Sequence, residues 1–201
     1  MNAEVKKAAV VLDITPEEIE KAKAIGANLI ISHHPVIFSP VKSVTKGSVP
    51  YELIASSVNA LCCHTPLDIA EGGTNDSLAE LLGIDVTLAD DPILRLGTVE
   101  PTTAEELAEK IAKALNTKVR YADAGKKIEK IAICTGAGCS LIEAAGEIDA
   151  FITGDASHHN FLDCVQQGIT LIAAGHYETE IVVAPVLVKK LQAQFPGIEI
   201  I

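Results

Sequence analysis

Apolar positions in the first third of the chain fall into short runs separated by helical spacings. "AVVLDI" (9–14) has the length and content of a buried strand. "TPEEIEKAKAIG" follows, with Thr15 placed to cap a helix, Pro16 at its first position and Glu18 set to complete a capping box. Gly26 closes that helix. "ANLIIS" then reads as a strand, "PYELIASSV" as a helix and "NALCCHT" as a third strand. Such alternation predicts a β-α-β-α-β unit of parallel strands joined by right-handed crossovers.

Further along, "NDSLAELLG" (75–83) reads as a helix and "LADDPILRLG" as an acidic, Pro-containing surface connection, which marks a lobe boundary. "TTAEELAEKIAKAL" (102–115) is a capped amphipathic helix. Strands are expected at "KVRYA", "KIAICTG", "AFITGD" and "TLIAAGH", and helices at 140–146 and 156–167. A last helix from Glu178 to Phe195 is expected to kink at Pro185, before a closing strand "IEII". The fold class is therefore α/β, with two lobes of mostly parallel sheet flanked by helices.

A length of 201 residues with 48% apolar content suffices for one compact domain or two small lobes. The longest apolar stretches fall short of the roughly 20 residues of a membrane helix, so no span is expected. The opening residues lack the order of a signal peptide, which points to the cytoplasm. A formal charge of -11, with 16 scattered Lys and Arg, argues against nucleic-acid binding. The five cysteines, Cys62, Cys63, Cys134, Cys139 and Cys164, show no CxxC spacing and read as reduced thiols, not a disulfide framework or a thiolate zinc site.

The chemistry gathers at the carboxyl ends of the expected strands, the edge where open α/β sheets bind ligands. His33 and His34 follow "NLIIS", His64 follows "NALCC", Asp155 follows "AFITG" and His176 follows "TLIAAG". Asp68 lies four residues after His64, and Glu180 four after His176, a spacing that shares one helical face. Imidazole with carboxylate and no thiolate is the ligand set of Zn, Mn, Fe, Co or Ni, and a pair of Zn, Fe or Mn ions is expected. Adjacent residues on an extended backbone point opposite ways, so His33 and His34 would each face a different ion of a pair. In "GDASHHN", Asp155 either caps the next helix or joins the site, and His158 and His159 are candidates for substrate contact or proton transfer. "TGAGCS" (135–140) is a glycine turn that either holds an anion or is simply tight.

At "ISHHPVIF", "HTPLD…GGTNDSLAELLG", "GDASHHNFLD" and "AAGHYETE" the chain resembles the NIF-three-like family of dinuclear metal proteins, homologues of GTP cyclohydrolase I type 2. The resemblance implies metal ligands at His33, His34, Asp68, His176 and Glu180, with Glu180 bridging and His64 beside them as a further ligand or a neighbour. It implies two ions per chain and a homohexamer. It also implies that the first lobe, 1–96 with 176–201, holds both chain ends and the metals, and that 97–175 form the second. Against the family pattern, the N-terminal segment that usually precedes its first strand is not expected here, nor is the insertion some members carry between lobes. The implied activity is that of a metal-dependent hydrolase on a nucleotide or related small molecule. The alternative is a non-catalytic metal-binding interaction protein.

Overall fold

A computed structural model describes residues 4–201, so the first three positions lie outside the described residues. In chain order the elements are β1 (Lys7–Val11), α1 (Pro16–Ala24), β2 (Leu29–Ser32), α2 (Val49–Ser56), β3 (Asn59–Cys62), α3 (His64–Ile69), α4 (Thr74–Leu82), β4 (Val86–Leu88) and β5 (Arg95–Thr102). They continue with α5 (Ala104–Leu115), β6 (Arg120–Ala122), β7 (Ile128–Cys134), β8 (Ala150–Thr153), α6 (His158–Gln166), β9 (Thr170–Ala173), α7 (His176–Glu180), α8 (Val183–Gln194) and β10 (Glu199–Ile200). The chain forms two compact units, Met1–Leu67 with Ala184–Ile201, and Asp68–Val183.

The first unit carries a parallel sheet in the order β10-β1-β2-β3. Its core joins Ile19 and Ala22 of α1 and Leu53 of α2 to Ile30 of β2 and to Ile14, Ala27 and Val58. Thr15 caps α1 through the Glu18 amide at 3.2 Å. The expected reciprocal half of the capping box gives way to an ion pair, in which the Glu18 carboxylate takes Lys21 Nζ at 3.0 Å.

The second unit is built on a mixed sheet in the order β4-β5-β7-β8-β9-β6. The β7–β8 and β8–β9 pairings are parallel, and the β4–β5, β5–β7 and β6–β9 pairings are antiparallel. Successive residues of the central strands point to opposite faces. Ile131, Ile133, Ala150, Ile152 and Ile172 therefore meet Leu78, Leu107 and Ile111 on one side. Ala132, Cys134, Phe151 and Leu171 meet Leu94, Ile142 and Cys164 on the other. With both faces covered, the strands read as continuous apolar runs.

Three local expectations are corrected. "LADDPILRLG" is not merely a surface connection: its ends lie in β4 and β5, with Leu94 and Arg95 buried. In place of a helix at 140–146 there are two 3-10 turns, Gly138–Leu141 and Glu143–Ala145. The last helix is two helices, not one kinked at Pro185. The chain breaks between α7 and α8, and Pro185 sits in the first turn of α8, where its missing N–H costs nothing.

Candidate metal centre

In the first unit β2 ends at Ser32, and the two histidines follow in a bend. Their amides continue the sheet pattern, His33 N–H to Val11 O at 3.3 Å and His34 N–H to Leu12 O at 3.0 Å. Ser32 Oγ donates to His34 O at 2.7 Å, and Cys62 Sγ reaches His33 O at 3.0 Å. The bend removes the strict alternation of a strand, so the two rings do not diverge. Their centroids lie 4.9 Å apart, and the His64 ring lies 5.2 Å from His33 and 5.7 Å from His34. One ring nitrogen from each of the three lies within 4.8 Å of the others. His33 is buried and the other two are half-buried.

His64 opens α3 and is not the end of a strand; Asp68 follows one turn later on the same helix. The Asp68 carboxylate accepts from Thr74 Oγ1 at 2.7 Å, and its main-chain carbonyl accepts from Asn75 Nδ2 at 3.2 Å. Asn75, fully buried, also donates to Ile93 O at 3.0 Å and accepts the Thr135 amide at 2.7 Å. It thereby ties the Asp68 turn to the "TGAGCS" turn.

In the second unit α7 places His176 and the buried Glu180 on one face, with His176 Nε2 3.2 Å from Glu180 Oε2. Asp155 does not cap the following helix, because Ser157 does so in a capping box with Asn160. The Asp155 carboxylate meets His176 Nδ1 at 2.7 Å instead. His158 and His159 are exposed on the first turn of α6, their rings 5.6 Å apart. The "TGAGCS" turn packs against the carboxylate: Gly136, at φ +63°, leaves room for Glu180.

Burial first, then the charges of Asp68 and Asp91, push the Cys134 thiol up to about 12, with Cys139 and Glu180 adding to the rise. Borderline nitrogen donors with carboxylate oxygens are a fitting set for a divalent transition ion.

Sequence reasoning missed Asp13, whose Oδ1 lies 2.8 Å from His34 Nδ1. The missing signal was strand register: Val11 pairs with Ser32, and two further steps bring Asp13 opposite His34. Asn75 and Gly136 were missed as supports because they act on Thr135 and Glu180, far away in sequence, and Thr74 because its reach back to Asp68 depends on how the intervening glycine turn folds.

A family model described as Duf34/NIF3 (NGG1p interacting factor 3) matches residues 1–201. A Lactococcus lactis protein named GTP cyclohydrolase 1 type 2 homolog is 35% identical over 190 residues, covering 88% of this chain and 74% of its own. An Escherichia coli protein of the same name is 36% identical over 171 residues, covering 81% and 69%. Among solved structures, the Staphylococcus aureus hypothetical protein SA1388 superposes with a TM-score of 0.92 at 27% identity, over 99% of this chain and 84% of that one. Reduced HcgD from Methanocaldococcus jannaschii gives 0.86 at 26%, over 99% and 83%.

Proposed function

Because this chain belongs to the Duf34/NIF3 family, we propose that it is a metal-dependent hydrolase that holds two divalent transition-metal ions, Zn, Fe or Mn, through His33, His34, His64, Asp68, His176 and Glu180. The observation that carries this reading is the convergence of three imidazoles, one nitrogen from each within 4.8 Å of the others. Ions bound there would supply Lewis acidity and bring the pKa of a bound water toward neutrality.

The side chains divide the remaining work. His33, His34 and His64 offer neutral donors, while Asp68 and Glu180 bring the negative charge that offsets the cations. Glu180 would be the carboxylate whose charge serves both ions. Asp155, His158 and His159 stand in the stretch proposed to meet substrate, where the two exposed imidazoles could contact it or pass protons. The substrate is a small molecule, a nucleotide or a related cyclic amide. Relatives named GTP cyclohydrolase 1 type 2 homolog support including GTP among the candidates. A homohexamer in the cytoplasm completes the reading. No helix among the described residues is long and apolar enough to cross a membrane.

A second reading, a non-catalytic metal-binding interaction protein, is favoured by the family description, which names an interacting factor. One experiment separates the two. Protein reconstituted with Zn, Mn or Fe is subjected to elemental analysis and then screened for turnover of nucleotides and cyclic amides, with and without chelator. The hydrolase reading expects close to two ions per chain and chelator-sensitive turnover; metal without turnover of any substrate favours the second. Glu180→Gln is expected to cut occupancy to one ion or none while the protein stays folded, since a neutral amide bridges cations poorly. Wild-type occupancy in that variant would remove Glu180 from the site.

A further inference from the structure

Two aspartates, one in each unit, hold a candidate ligand imidazole by the same nitrogen. Asp13 Oδ1 lies 2.8 Å from His34 Nδ1, and Asp155 Oδ2 lies 2.7 Å from His176 Nδ1. Strand register produces both contacts. In the first unit Val11 pairs with Ser32, and the chain beyond each strand end carries Asp13 to His34. In the second, Thr153 pairs with Ala173, and the same continuation carries Asp155 to the start of α7. The two pairs are thus separate constructions of one arrangement.

We propose that Asp13 and Asp155 are positioning residues, each committing the Nδ1 proton of its histidine so that Nε2 is the atom offered to metal. An ionised carboxylate only accepts hydrogen bonds, and a neutral imidazole carries one N–H. In the neutral ring that a metal requires, the Nδ1 contact places the proton on Nδ1 and holds the ring in one orientation, so that Nε2 is the atom that would coordinate. At His176 that same Nε2 faces Glu180 Oε2 at 3.2 Å. In that tautomer these two atoms are neighbouring electron-pair donors, which a metal ion, or a proton shared between them, would satisfy. Neither aspartate is needed for packing, since the Asp13 and Asp155 side chains are 53% and 60% exposed. Exposed pairs of this kind contribute little to stability, so conserving the fold while losing the imidazole geometry is achievable by substitution.

The proposal rests on the metal-binding reading, and its test keeps the two apart. Asp13→Ala, Asp13→Asn, Asp155→Ala and Asp155→Asn are prepared in the full chain. Co²⁺ affinity is measured by competition with a chromophoric chelator, and the Co²⁺-loaded proteins are examined by proton NMR for ion-shifted imidazole N–H resonances that vanish in D₂O. Each alanine variant is expected to bind Co²⁺ about 10–100-fold more weakly and to lose or rapidly exchange one N–H resonance. Each asparagine variant recovers part of the affinity, because its amide oxygen still accepts from Nδ1. The thermal midpoint of the metal-free protein stays at the wild-type value in all four. Alanine variants that match wild-type Co²⁺ affinity and retain every shifted resonance overturn the positioning role and leave the metal reading standing. A wild-type protein that takes up no Co²⁺ overturns both.

Discussion

Gly136 shows how closely a single position can be set by a neighbour remote in sequence. Its φ of +63° lies in the left-handed region, and a Cβ placed there would run into the Glu180 carboxylate and come within 3.2 Å of His176 Nε2. Gly125 shares the conformation, at φ +75°, yet nothing lies within 4 Å of its would-be Cβ. Comparing alanine at the two positions separates backbone strain from steric displacement. Both variants are expected to lose roughly 1–2 kcal/mol of stability from the left-handed conformation. Gly136→Ala alone is expected to weaken metal binding, by tenfold or more on the order of one misplaced ligand, as read by chelator competition. Equal metal affinity in the two variants would mean that Glu180 can move aside without consequence.

Among the elements, β5 depends on a buried cation. Arg95 is 3% exposed and pairs with Asp76 of α4, and it donates to the carbonyls of Pro92 at 2.9 Å and Ile69 at 3.0 Å. It thus fastens the end of α3, the start of α4 and the turn before β5 to one another. Arg95→Met removes the charge that answers Asp76, and breaking a largely buried pair in this way costs about 3 kcal/mol. Urea unfolding followed on the full chain is expected to show a loss of that order, and a loss below about 1 kcal/mol would mean that solvent replaces the guanidinium readily. The same stretch marks where sequence patterning stops being informative. α1, α5 and the central strands β7, β8 and β9 are legible because caps and apolar periodicity are local signals. β4 and β5 are hidden because Asp90, Asp91 and Pro92 read as a turn, while the pairing of their flanks is decided by strands elsewhere and interrupted between Thr98 and Thr102. His33 and His34 could be picked out for a related reason, since the strand end they follow is a local signal. Asp13 could not, since its meaning depends on which strand lies beside it.

For the molecule as a whole, one buried and one half-buried thiol set an alkaline limit. Burial, reinforced by Asp68 and Asp91, pushes Cys134 up to about 12, and burial followed by Cys164 and Asp155 pushes Cys139 up to about 11. An unfolded chain releases these protons near the ordinary thiol value of about 8.5. Between that value and the raised ones the folded state binds more protons than the unfolded state, so stability is fully present below it and falls as pH rises toward 11 and 12. Urea midpoints are expected to decline steadily on going from about pH 8 to about pH 10.5, and Cys134→Ser should flatten part of that slope; a flat profile in the wild type would contradict the burial of Cys134 and the half-burial of Cys139. The chain's path has a different kind of consequence. The sheet of the first unit places β1 between β2 and β10, yet β10 is Glu199–Ile200, and the whole of the second unit is translated in between. On the ribosome, the flank of β1 that will receive β10 stays an open strand edge while Asp68–Val183 emerges with all the strands of its own sheet. Synthesis therefore imposes an order in which the inserted unit can finish first, and the nascent protein must keep one sticky edge from other chains until its last strand arrives.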